Sequence, residues 1–158
     1  MVHPALPKVT AYLGELSNAS LDYFPGSILQ GIQAIHVGKG IIECKLIIED
    51  RVLGEDGTIH TGAIAAIMEN IGATAIFSAG GSDHASVDFN YSLYSTAKKQ
   101  DEVKIEARVI GRKDDLTSAV IEIRRECDEE LIATGRLWMV QRRSLNVKHN
   151  GVDLPSKL

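Results

Sequence analysis

Glu69 stands inside a run of apolar and small residues, where a carboxylate is costly to bury unless it is paired or used. Just ahead of it lies Gly57-Thr58-Ile59-His60-Thr61-Gly62, which puts a histidine and flexible backbone where a helix would begin. The free N–H groups and positive dipole end of a helix start can polarise a carbonyl oxygen. A carbonyl polariser and a carboxylate together are the parts that acyl transfer needs. The alternative for Glu69 is a solvent-facing carboxylate or a structural pair with an arginine. Thr61 and Glu69 are separated by about 12 Å of helix, at 1.5 Å per residue. One carbonyl cannot touch both. If both act on the same bond, they come from different copies of the chain. That spacing predicts a two-fold dimer with antiparallel central helices and sites at the interface.

The elements that must hold these groups are legible as periodicities. Residues 62–78 form a helix candidate, with Thr61 as its N-cap and Gly80-Gly81 as its stop. Ile64, Ile67, Met68, Ile71 and Ala75 make a core stripe along it, while Gly62, Ala65, Ala66, Glu69, Gly72 and Ala73 occupy the other face. Strand alternation marks 28–37 and 40–48, joined by a turn at Gly38-Lys39, and then 85–94, 103–109, 119–123 and 131–141. A short amphipathic helix over 8–16 carries Val9, Tyr12, Leu13 and Leu16 at helical spacing. The order is helix, two strands, long helix, four strands. It predicts an α+β fold in which one antiparallel sheet wraps around one long central helix. The chain divides into an N-terminal helix and lead-in (1–27), the sheet-and-helix domain (28–141) and a polar tail (142–158).

Composition narrows the function. The 158 residues suit one domain, and 44% hydrophobic with 24% charged residues is ordinary globular usage. A formal net charge of −4 argues against a protein that binds nucleic acid by neutralising phosphates. Cys44 and Cys127 are too few for a disulfide framework or a four-cysteine zinc site. The longest unbroken apolar run is short (63–68), so no membrane span is expected, and residues 1–16 lack the apolar core of a secretory signal. His36, His84 and His149 have no metal-ligand spacing, so no metal is expected. No Ser elbow of the G-x-S-x-G type is present.

The run from Gly57 through His60, Thr61 and Gly62 to Glu69 resembles the G-x-x-H-G-G-x-x-x-x-x-x-[DE] signature of hotdog-fold acyl-CoA thioesterases. These are the relatives of thioesterase superfamily member 2 and of the phenylacetate-pathway thioesterase. Ser86-Val87-Asp88-Phe89-Asn90 is similar to the family's S-V-D-x-N strand, Ser95-Thr96-Ala97-Lys98 to its S-P-A-[KR] turn, and Ile132-Ala133-Thr134-Gly135-Arg136 to its I-A-x-G-[RT] strand. The likeness spans roughly residues 28–141. It implies a hotdog fold and the hydrolysis of an acyl-CoA to free acid and CoA, with CoA as part of the substrate and no cofactor. Glu69 would be the general base or nucleophile and the Thr61 N–H the carbonyl polariser. His60 would shape the site and Ser86 help position water. Gly62 and Gly54 would border the substrate, and Arg112 and Lys113 would meet the CoA phosphates. The family also implies a homodimer or a tetramer of two dimers. Thr61 replaces a family glycine, Gly54 stands where relatives carry Asn, and Thr96 replaces the turn proline. Gly54 and Thr61 leave an acyl-CoA-binding protein with little turnover as a second reading; an enoyl-CoA hydratase is a third, which no residue here favours.

The chain ends in Ser156-Lys157-Leu158, which at a free C-terminus is the peroxisomal import tripeptide. A peroxisomal address and an import receptor as partner are therefore expected. Gly80-Gly81-Ser82 reads as a connector that would border the nucleotide end of CoA, and Lys98-Lys99, like Arg112-Lys113, as either a contact for CoA phosphates or a solvated tip. Arg142-Arg143 reads as a solvated strand end, and the two cysteines as a core thiol and a strand-end thiol.

Overall fold

The computed structural model describes residues 3–20 and 22–142. Ser156-Lys157-Leu158, His149 and Arg143 lie outside the described residues.

Alternation decides which face of each strand is covered. Ile42, Cys44 and Leu46 of β2 (Ile41–Ile47), Val103, Ile105 and Ala107 of β4 (Glu102–Lys113), and Ala119, Ile121 and Ile123 of β5 (Leu116–Arg125) are all buried on one side. With β1 (Gln33–Gly38), β3 (His84–Leu93) and β6 (Leu131–Gln141) they form one six-stranded antiparallel sheet ordered β1-β2-β4-β5-β6-β3. This is the expected sheet around one long helix, and β1 and β3 are its edges.

That helix is α3 (Thr61–Gly80), whose Ile64, Ile67, Met68, Ile71 and Ala75 pack into the buried face of the sheet. By length and composition α3 could cross a membrane, but it is the core helix here, half buried by the rest of the chain. Gly72 was expected on the open face. It faces the sheet instead: a Cβ there would stand 2.9 Å from Ile121 Cδ1. Small residues surround α3 on every side, so hydrophobic period alone does not say which of them meets the sheet. The N-cap also differs from expectation. His60, extended at φ −66 and ψ 138, caps α3, and Thr61 is its first helical residue. Gly81, left-handed at φ 69, ends the helix and donates its N–H to Phe77 O at 2.6 Å.

The N-terminal segment holds two helices, α1 (Ala5–Ser17) and α2 (Phe24–Leu29). The run 28–37, expected as one strand, is split: Ile28 and Leu29 close α2, and β1 begins only at Gln33. Pro25 in the first turn of α2 favours a helix start, which outweighs the strand-like composition that follows. Val9, Leu13 and Leu16 of α1 and Ile28 and Leu29 of α2 belong to the same hydrophobic core as α3.

Candidate active site

The candidate side chains form two groups, one at the start of α3 and one at its middle. At the start, His60 Nδ1 accepts the Gly62 N–H at 2.9 Å, while its carbonyl accepts from Ala63 and Ile64. An accepting Nδ1 places the proton of the neutral ring on Nε2. The cap occupies the N–H of Gly62 and leaves that of Thr61 without an acceptor among the described residues. Thr61 and Gly62 are both exposed, so this donor faces outward. Gly54 borders the same corner, where its N–H donates to Thr58 O at 2.7 Å. A Cβ on Gly54 would lie 3.7 Å from the His60 ring, so the position has room for a side chain. Asp56 fixes the loop by accepting from the Thr58 N–H and hydroxyl at 3.0 and 2.9 Å. Those bonds hold its carboxyl below the usual carboxylate range.

At the middle of α3, Glu69 is half-buried rather than fully enclosed, and its Oε1 accepts from Ser86 Oγ at 2.6 Å. Ser86 reaches it because β3 is irregular. Ser86 pairs with Met139 and Asp88 with Trp138, which leaves Val87 as an extra residue. In an unbroken strand Ser86 and Phe89 would face opposite sides. The bulge reverses the parity, so Ser86 bonds Glu69 on the helix side and Phe89 packs against the core on that same side.

A cleft of about 540 Å³ opens beside this pair, between α1, α3 and the start of β3, lined by Tyr12, Phe77, Met139 and others. Tyr12 and Asn70 were not expected at a site. Tyr12 shares the helical spacing of Val9, Leu13 and Leu16 and so reads as core, yet those three are buried and Tyr12 is half-exposed beside Glu69. Burial first, then Tyr23, Glu69 and Glu15, push its phenol up to about 12, so it meets Glu69 as a neutral hydroxyl.

Arg112 and Lys113 join neither group. Arg112 lies at the far end of α3, where its Nη2 donates to Gln141 Oε1 at 3.0 Å, and Lys113 is exposed at a strand end. Lys99 pairs with Asp50 at 2.6 Å. Arg142, expected as a solvated strand end, lines the far part of the cleft together with Lys8, Asp83 and His84. His84 donates from Nδ1 to Ser82 O at 2.7 Å. Cys44 is fully buried, with its thiol pushed up to about 12 by desolvation, and Cys127 is exposed.

Residues 56–132 match the family model described as Thioesterase superfamily. Human acyl-coenzyme A thioesterase 13 is 27% identical over 110 residues, covering 69% of this chain and 79% of that one. The crystal structure of zebrafish thioesterase superfamily member 2 superposes with a TM-score of 0.79 at 23% identity, over 87% of this chain and 98% of that one. The Escherichia coli PaaI protein from the phenylacetic acid degradation operon gives 0.70 at 13% identity, over 85% and 94%. The fold is the hotdog fold.

Proposed function

We propose that this chain, whose residues 56–132 match the thioesterase superfamily model, hydrolyses an acyl-CoA to a free acid and CoA. The observation that carries the reading is the Ser86–Glu69 bond of 2.6 Å at the edge of the cleft. Ser86 holds one carboxylate oxygen, and Oε2 takes no hydrogen bond from a described residue. Oε2 removes a proton from water as the water oxygen bonds to the thioester carbon. The C–S bond then breaks, the proton passes to sulfur, and the acid and CoA leave. The Thr61 N–H, which has no acceptor among the described residues, stabilises the oxyanion. Arg142 and Lys8, with Arg112 beyond Gln141, supply positive charge for the CoA phosphates at the far end of the cleft.

Two copies are required, because the Thr61 N–H and the carboxylate lie about 12 Å apart along one helix. β3 offers the contact. It is a sheet edge on which Val87, Tyr91 and Leu93 are 56%, 38% and 43% exposed. Pairing with a second β3 would cover that edge.

The test is CoA release over a panel of acyl-CoA thioesters, read with a thiol-reactive dye. Glu69→Gln keeps the shape and removes the base, so turnover falls by at least ~100-fold while acyl-CoA binding survives. Near-normal turnover in that variant removes Glu69 from the mechanism. Gly54 favours the second reading, binding without turnover, because it presents no side-chain donor beside His60. A wild-type protein that binds the panel and releases no CoA would establish that reading instead.

We also propose a peroxisomal address read by an import receptor, on the strength of Ser156-Lys157-Leu158 alone. An N-terminal fluorescent fusion ending at Leu158 collects in peroxisomes, and loss of Leu158 returns it to the cytosol. A diffuse intact fusion ends the proposal.

A further inference from the structure

Glu69 opens on two cavities. The cleft of about 540 Å³ runs from Glu69 and Ser86 past Ala73 to Phe77, toward the C-terminal end of α3. A second hollow of about 440 Å³ lies on the other side, against Ala65 and Ala66 in the N-terminal half of α3. Three residues line both: Tyr12, Glu69 and Asn70. They form the neck between the two spaces. The Asn70 amide is tied to Ala66 O at 2.8 Å within α3, whereas Tyr12 reaches the neck from α1 and its hydroxyl bonds no described residue.

The two spaces differ in chemistry. Beyond Phe77 the cleft ends among Lys8, Asp83, His84 and Arg142. Among the described residues the hollow has no charged side chain except Glu69 itself, and its wall is made by Tyr12, Tyr23, Phe24, Pro25 and Phe89. Half of the chain's Phe, Tyr and Trp side chains meet there. An acyl-CoA has a polyanionic half and an apolar half. Phosphates cannot be desolvated in a space with no cation, so the acyl group belongs in the hollow and the CoA half in the cleft. The thioester that joins them then lies at the neck.

We propose that Tyr12 is a positioning and specificity-determining residue whose ring closes the neck, fixing where the acyl half ends and holding the thioester carbon against Glu69. This rests on the thioesterase reading. Without the ring the two cavities merge and the ligand slides along them. Acyl length is then no longer measured, and the carbonyl drifts from the carboxylate, a displacement to which rates are steeply sensitive. Val9, Leu13 and Leu16 anchor α1 on the core, so truncating the half-exposed Tyr12 leaves the helix docked, as thermal melting checks.

The experiment measures dissociation constants for non-hydrolysable S-alkyl-CoA thioethers from ethyl to dodecyl, by calorimetry. Wild type discriminates among lengths, Tyr12→Ala flattens that discrimination by about tenfold or more, and Tyr12→Phe keeps the wild-type profile. On the matching thioesters, kcat falls about 100-fold in Tyr12→Ala, KM moves less, and Tyr12→Phe restores both. An unchanged length profile in Tyr12→Ala, or a Tyr12→Phe protein as impaired as Tyr12→Ala, overturns the role of the ring. A wild type that discriminates thioethers but cleaves no thioester refutes the enzyme and leaves Tyr12 decided by the binding profile. A wild type that binds no thioether overturns both.

Discussion

His60 and Thr61 exchange the parts that residue type alone would assign them. A threonine before an apolar run is an ordinary N-cap, but here the imidazole Nδ1 caps the helix by accepting from Gly62 at 2.9 Å. Thr61 becomes the first helical residue, a position where proline is tolerated because its missing N–H has no helical partner. His60, at φ −66 and ψ 138, already has the extended backbone that a following proline demands. Thr61→Pro therefore removes the proposed oxyanion donor and little else. The variant should melt close to wild type and lose about 100- to 1000-fold in kcat, the usual cost of one such donor. Undiminished turnover would show that the oxyanion is held elsewhere. At this scale short spacing singled out Glu69, His60 and Thr61, whereas Ser86 was reached only through its likeness to the S-V-D-x-N strand, and the structure joins it to Glu69. The place of Tyr12 beside Glu69 was not legible, because an aromatic at helical spacing has the same signature whether it faces the core or a cavity.

The elements were legible where one period dominates. β2, β4, β5 and β6 alternate without interruption, and each buries the face its pattern dictates. Legibility fails where two signals compete. Ile28 and Leu29 look like strand but follow Pro25 in a helical turn, and the parity of β3 reverses at Val87. A bulge leaves no compositional mark, yet it brings Ser86 and Phe89 onto one side. Gly72 is a third such case. α3 approaches the sheet closely enough that a Cβ at Gly72 would meet Ile121 Cδ1 at 2.9 Å and Leu137 Cδ2 at 3.1 Å. Gly72→Val would force branched carbon into that contact, an overpacking worth about 1–3 kcal/mol. For a domain of this size that is a fall in Tm of at least ~2 °C, measurable by calorimetry. A melting temperature equal to wild type would mean the helix can lift from the sheet without penalty.

At the scale of the whole molecule, ion pairs and apolar exposure concentrate in different places. The outward side of the sheet carries a grid of ion pairs, among them Lys45 with Glu102 and Glu126, and Arg124 with Glu122. Exposed pairs of this kind contribute little to stability. Exposed apolar side chains include Val87, Tyr91 and Leu93 along the β3 edge and Phe24 beside the hollow, with Ile35, Ile47, Ile110 and Leu116 elsewhere on the sheet. A second copy joined at β3 would set its α3 antiparallel to the first, with the Thr61 N–H of one opposite Glu69 of the other. That arrangement makes a prediction no single-chain site can imitate. Glu69→Gln and Thr61→Pro chains are co-expressed with different tags, and the mixed dimer is isolated through both. One of its sites then pairs an intact Glu69 with an intact Thr61, and the other has neither. The mixed dimer should recover about half the wild-type turnover per dimer, as two-fold symmetry requires, although both parent homodimers are nearly inactive. If one helix supplied both groups, each chain would carry one lesion in its own site. The mixed dimer would then be as inactive as its parents.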